Sequence, residues 1–208
     1  MKKFLNSNKI LCLSPHPDDI EYGALGIMAK HPETHFDILT ISIGGKFDNS
    51  SGKNRFKECS SIWGSIPNIK GDFLLEDHTI NFEYDQLVHM IENKYDMSSY
   101  DLILIPTHED THHDHKKINV VGMALTRKNK CGIVDYKTPS TLETWIPNHF
   151  VDISSFLDFK IKQLRKFKTQ AKHLYFQNDV IKAFHTNYQS SKRGIGYVEC
   201  FKIHRIYG

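Results

Sequence analysis

The chain has 208 residues, with 27 Lys and Arg against 24 Asp and Glu for a formal net charge of +3. That length suits one domain able to bury most of a two- or three-layer core, and so mild a charge gives no sign of a dedicated nucleic-acid binder, whose basic residues cluster on one face. No run approaches the ~20 apolar residues of a membrane-spanning helix, and Asn6 to Lys9 interrupt any signal-peptide-like stretch after Lys2 and Lys3. The expectation is a soluble, cytoplasmic protein with no nucleic-acid partner and no membrane insertion.

Residues 9–14 read as a buried strand ending at Pro15, and residues 22–30, with Gly23, Ala24, Gly26 and Ala29, as a helix whose small residues allow close packing on a sheet. Residues 35–43 are a second apolar, β-branched run before Gly44 and Gly45. Strand, helix and strand at this spacing predict a right-handed βαβ unit and a parallel sheet. Residues 46–54 are polar and rich in Gly, Ser and Asn, which predicts a mobile loop at the same edge as His16. Residues 55–63 then read as a helix closed by Gly64.

Residues 72–75 give a short strand, and residues 84–95 an amphipathic helix with Leu87, Val88 and Ile91 at helical spacing. Residues 100–106 are the clearest third strand, again ending in Pro, and a helix follows over residues 116–127 with Ile118, Val121 and Leu125 inside. Residues 133–136 and 150–153 are later strands. Residues 154–173 read as one helix, with Phe156, Leu157, Ile161, Leu164 and Phe167 inside and Lys160, Lys162, Arg165, Lys166 and Lys168 outside. A final alternating strand covers residues 197–206. No repeat or linker marks a second domain, so residues 1–208 are expected to form a single α/β domain. Cys12, Cys59, Cys131 and Cys200 form no Cys-x-x-Cys pair, which fits free thiols in a reducing compartment.

Two strands end in Pro and lead straight into clusters of metal-type ligands. The first is His16-Pro17-Asp18-Asp19-Ile20-Glu21, and the second runs from His108 through Glu109, Asp110, His112, His113 and Asp114 to His115. Open α/β sheets hold their ligands at the carboxyl ends of strands, and neighbouring strand ends lie only ~5 Å apart. Two imidazoles and a carboxylate are what a hydrolytic metal site needs, with positions left for water and substrate. His16, Asp19 and His115 are the expected ligands. Asp18 is then free to serve as general base, His112 to stabilise an oxyanion or protonate a leaving amine, and Asp114 to fix a histidine tautomer. Glu21 reads as a helix-start residue or a support behind the ligands.

These residues resemble the LmbE/PIG-L family of zinc-dependent N-deacetylases, whose hallmarks are a His-Pro-Asp-Asp turn after the first strand and a later His-x-Asp-His segment. Here they stand as His16-Pro17-Asp18-Asp19 and His112-His113-Asp114-His115. Arg55-Phe56-Lys57-Glu58 with Trp63-Gly64 is similar to the family's Arg-x-x-Glu helix and closing Leu-Gly. Thr169-Gln170 is similar to its Ser-Gln, and Tyr197-Val198-Glu199-Cys200-Phe201 to its Tyr-Ala-Glu-Ala-Phe strand. The resemblance implies a Rossmann-like, three-layer fold with a mostly parallel sheet. It also implies one Zn2+ held by His16, Asp19 and His115, Asp18 as base, His112 as transition-state stabiliser, and Arg55 against a sugar hydroxyl or phosphate. The implied reaction is hydrolysis of an N-acetyl group on an amino sugar, a small-molecule substrate, with a homo-oligomer left open. Trp63, Val198 and Cys200 depart from the family's pattern and bear on pocket shape rather than on chemistry.

Two other readings compete. Two histidines and a carboxylate also suit an Fe(II) oxygenase, although Asp18 offers a base that oxygen chemistry does not require. The basic stretch at residues 160–172 could dock nucleic acid or an anionic membrane, but its apolar stripe fits a solvated helix over a core better.

Overall fold

The computed structural model describes residues 3–44, 52–76 and 79–207. The predicted loop at residues 46–54 lies outside them up to residue 51, and its last three residues open a helix. The elements in order are β1 (Lys9–Ser14), α1 (Asp19–Lys30), β2 (His35–Thr40), α2 (Gly52–Trp63), β3 (Ile69–Phe73), α3 (Tyr84–Lys94), β4 (Leu102–Pro106) and α4 (His113–Leu125). There follow β5 (Gly132–Tyr136), β6 (His149–Asp152), α5 (Leu157–Leu164), α6 (Asn178–Phe184) and β7 (Val198–Arg205).

The strands form one sheet in the order β3-β2-β1-β4-β5-β7-β6. β1 to β5 run parallel, while β7 is antiparallel to both neighbours. Along β1, Ile10 and Cys12 face one apolar cluster with α1, α2 and α5, and Leu11 and Leu13 face another with α3 and α4. A strand covered on both faces needs no polar alternation, which is why β1 reads as an unbroken apolar run. The result is three layers, helices on both sides of a mostly parallel sheet. The chain passes from β1 to β2 on one side and returns to β4 on the other. The carboxyl ends of β1 and β4, paired through Ile10 with Leu102 and Cys12 with Leu104, are therefore the point where strand order reverses.

Several predicted bounds shift. The strand expected at residues 72–75 is β3, which starts earlier at Ile69 because it pairs residue for residue with Phe36 to Thr40. β2 ends at Thr40 rather than residue 43. α4 begins at His113, so His115 stands in its first turn and not on a preceding loop.

The largest correction concerns residues 154–173. A 3-10 turn at Ser154–Phe156 leads into α5, which ends at Leu164, and a second 3-10 turn follows at Lys168–Gln170. Past Leu164 the backbone tightens, with the N–H groups of Lys166 and Phe167 reaching back three residues to Gln163 and Leu164, and Thr169 then donates its N–H to Glu58 Oε1 (3.1 Å). Lys160, expected outside, is 0 % exposed. It faces inward because Glu199 of β7 supplies the counter-charge at 2.6 Å. The basic stretch is thus neither one helix nor one basic face. No helix among the described residues is long and apolar enough to cross a membrane.

Candidate metal and catalytic site

The turn after β1 is closed by its own polar atoms. Ser14 Oγ donates to the carbonyl of His16 (2.7 Å) and accepts the N–H of Ile20 (3.3 Å), while the N–H of His16 goes to Asp19 Oδ2 (2.9 Å). This puts Asp19 on the inner side of the turn, beside His16. Asp18 follows with φ 103° and ψ −28°, a left-handed conformation unusual for a residue with a Cβ. Glu21, fully buried, holds it there. One carboxylate oxygen accepts the N–H of Asp18 (3.1 Å) and the other the indole N–H of Trp63 (2.7 Å).

From β4 the second cluster arrives at the same point. His112 caps α4, its Nδ1 accepting the N–H of Asp114 (3.2 Å). That bond leaves Nε2 as the ring's N–H. His115, 3 % exposed, extends toward β1. Asp19 Oδ2 lies 3.3 Å from His16 Nδ1 and 3.2 Å from His115 Nε2. The remote nitrogens of both rings also meet carboxylates: His16 Nε2 is 2.9 Å from Asp114 Oδ2, and His115 Nδ1 is 3.0 Å from Asp110 Oδ2. The rings of His112 and His115 stack at 4.8 Å, and ligand atoms of His16, His112 and His115 all lie within 4.8 Å of one another.

The donor set fits a divalent cation. Ligands at ~2.0–2.2 Å around one tetrahedral zinc stand a little over 3 Å apart, as the Asp19 oxygen does from both imidazoles. A carboxylate behind each imidazole is the usual outer support of a metal-bound histidine. Without a cation the charges resolve through protons. Burial opposes charge on His16, but the bonds to Asp114 and Asp19 outweigh it and push it up to about 9. Burial likewise opposes charge on His115, and the Asp19 carboxylate and the Asp110 bond push it up to about 10. The carboxylates that hold protons on these rings equally favour a cation in their place. Burial, with Asp19 beside it, raises Asp18, whereas burial and the two neighbouring imidazoles lower His112 and keep it neutral.

Arg55 comes from the first turns of α2 and is 9 % exposed. Its Nη1 passes over Gly44, where an added Cβ would stand 2.9 Å from it and 3.6 Å from the His16 ring. Gly44 has φ +63° and leaves room for both. The seven residues expected at the site therefore come together, with two alternative ligand trios sharing His16 and His115.

No family model matches the chain. The diacetylchitobiose deacetylase of Thermococcus kodakarensis is 23% identical to it, the match covering 80% of this chain and 72% of that protein. The N,N'-diacetylchitobiose deacetylase of Pyrococcus horikoshii has a TM-score of 0.75 at 21% identity, over 96% of this chain and 85% of that one. The chain shares the fold of that deacetylase. The 4-carboxy-2-hydroxymuconate hydratase of Pseudomonas putida shares it too, with a TM-score of 0.76 at 17% identity over 100% of this chain and 98% of that one. This fold therefore hosts more than one reaction, and the site must decide between them.

Three features of the site carried no role in the sequence reading. Asp110, 0 % exposed, bonds His115, the N–H of His112 (2.8 Å) and the hydroxyl of Thr138 (2.7 Å). Its place in the histidine-rich segment was visible, but its inward direction follows from an isolated bridge to Thr141 that no periodicity announces. Thr138 itself sits in a polar loop with no motif. Trp63, read as a packing departure, reaches the back of the β1 turn through Glu21.

Proposed function

We propose that this chain is a metal-dependent amidohydrolase that removes an acetyl or similar small acyl group from the nitrogen of an amino sugar or sugar conjugate. The observation that carries the reading is Asp19 Oδ2 set between two imidazoles, each backed by its own carboxylate. His16, Asp19 and His115 would hold zinc, which would leave His112 free for the substrate. The metal, when bound, supplies Lewis acidity and brings the pKa of its water toward ~7.

The chain's own groups do the rest. Asp18, raised by burial and by Asp19, takes a proton from the attacking water as its oxygen bonds to the amide carbon. His112, neutral and carrying its N–H on Nε2, donates to the oxyanion. The proton then passes to the nitrogen as the carbon–nitrogen bond breaks, and acetate and a free amine leave. Asp114 and Asp110 keep His16 and His115 in the orientation the ligand atoms need. Arg55 supplies the positive charge that receives a hydroxyl or phosphate of the sugar. The names of the Thermococcus and Pyrococcus relatives support an acetylated amino sugar as substrate.

The test is acetate release by zinc-loaded protein from a panel of N-acetyl amino sugars, free and nucleotide-linked. Asp18→Asn is expected to lower kcat by about 100-fold to 10,000-fold with bound zinc unchanged. Full activity in that variant would sink the mechanism, and a silent panel would sink the substrate class.

A further inference from the structure

The segment between α5 and α6 passes beside the site and is tied down at two points. At its start Thr169 donates its N–H to Glu58 Oε1 (3.1 Å) and its hydroxyl to Glu58 Oε2 (2.7 Å). Glu58 stands on α2 one turn beyond Arg55, so both carboxylate oxygens of the helix that delivers Arg55 grip a single residue of the segment. Charge-assisted bonds of this kind are about twice as strong as neutral ones. Toward the other end Tyr22, three residues after Asp19 on α1, donates its hydroxyl to the carbonyl of Tyr175 (2.6 Å).

Between these anchors Tyr175 is half-buried. Its ring stacks on His173 at 5.2 Å with 14° between the planes and meets Tyr22 edge-on at 6.1 Å. Burial raises the pKa of its hydroxyl, and the charges of Asp18 and Asp19 add to the rise while that of Arg55 opposes it. A tyrosine required only for packing would be served by Phe. Here the ring is aligned with a second aromatic plane, and the segment that carries it is bonded to both α1 and α2, the helices that bring Asp19 and Arg55 to the site, an apolar body with a polar tip as binding pockets use it.

We propose that Tyr175 is a substrate-contacting residue and that Glu58, acting through Thr169, is the positioning residue that holds it beside the helix carrying Arg55. Resting on the amino-sugar reading above, the ring of Tyr175 packs against the apolar face of the sugar, and its hydroxyl meets the same polar edge that Arg55 serves. The bond partners the sequence motifs left unexplained, Glu58 of the Arg-x-x-Glu helix and Thr169 of the Thr-Gln pair, thereby act on one another.

The test is steady-state kinetics of acetate release by the full, metal-loaded chain, with thermal unfolding run alongside. Tyr175→Ala is expected to raise KM about tenfold while kcat stays within about threefold, with Tyr175→Phe between it and wild type. Thr169→Val, nearly isosteric but without the hydroxyl, is expected to raise KM about threefold or more, and Thr169→Ser, which keeps both donors, to restore it. An unchanged KM in Tyr175→Ala, or equal KM in the Thr169 Val and Ser variants, would overturn the assignment while leaving the deacetylase reading intact. Failure of the wild type to release acetate from any amino sugar would overturn the reading itself, and the assignment with it.

Discussion

Asp18 and Asp19 are neighbours in sequence with opposite surroundings, and the left-handed backbone at Asp18 is what separates them. Such a conformation costs of order 1–3 kcal/mol for a residue with a Cβ. It is sustained by Glu21 on the Asp18 N–H and by the Tyr22 N–H on the Asp18 carbonyl (2.8 Å). Lys160 and Glu199 are the corresponding case away from the site. Lys160 Nζ donates to Glu199 and to the carbonyl of Tyr22, and the same carboxylate accepts the N–H groups of Gly26 and Ile27, both at 2.7 Å, in the middle of α1. A Cβ at Gly26 would stand 2.8 Å from Glu199 Oε1, so the close approach requires glycine. Lys160→Met should lower unfolding stability by about 3–5 kcal/mol, because Glu199 would keep a buried charge without its counter-ion. Urea unfolding measures it, and a loss under about 1 kcal/mol would mean that the pair is not held as described.

α6 is capped by His185, which is 1 % exposed and donates its Nδ1–H to the carbonyl of Val198 (3.1 Å). Burial, then the nearby charges of Lys160 and Lys137, keep this imidazole far below its ordinary value and neutral. The unfolded chain takes up a proton here below about pH 6.5 and the folded chain does not, so stability is lost on this account as pH falls below that value, by at most about 1.4 kcal/mol per pH unit. His185→Phe should flatten the stability profile between pH 5 and 7 by about that slope, read from unfolding midpoints at each pH. At this scale the chain was unevenly legible. β1, β4, α3 and α4 announced themselves because their apolar residues recur with the right period or run unbroken. α5 misled, since the apolar stripe through Phe167 keeps helical spacing while the backbone has already tightened after Leu164. The His-Pro-Asp-Asp turn and the His112 to His115 segment were visible as local clusters. Glu21 was legible as a support at the helix start, three residues from the Asp18 it holds, whereas Asp110 and Thr138 were not assignable, because what they support is reached only through a loop.

At the scale of the molecule the two clusters meet because β1 and β4 are neighbours at the reversal of strand order, a relation set by topology rather than by either motif. A cation held there bridges the β1 turn and α4, so binding it should stabilise the whole fold. Zinc at about 100 times its dissociation constant is expected to add about 2.7 kcal/mol, a rise in Tm of roughly 5–10 °C for a chain of this size. His115→Ala should abolish the rise and a chelator reverse it; an equal rise in that variant would place the ion elsewhere.

The position of β7 bears on how the protein is made. It enters between β5 and β6, so at synthesis speeds of about 5–20 residues per second the nascent chain waits seconds with the edge of β5 open and β6 without a neighbour. Over the same interval Lys160 exists without Glu199, and the groups at the middle of α1 that Glu199 will join lack it. The α1 face of the core cannot close around an unpaired ammonium. Completion of the fold is thereby coupled to arrival of the last strand, and a nascent chain interrupted before Val198 offers an unpaired sheet edge to whatever strand or chaperone reaches it first.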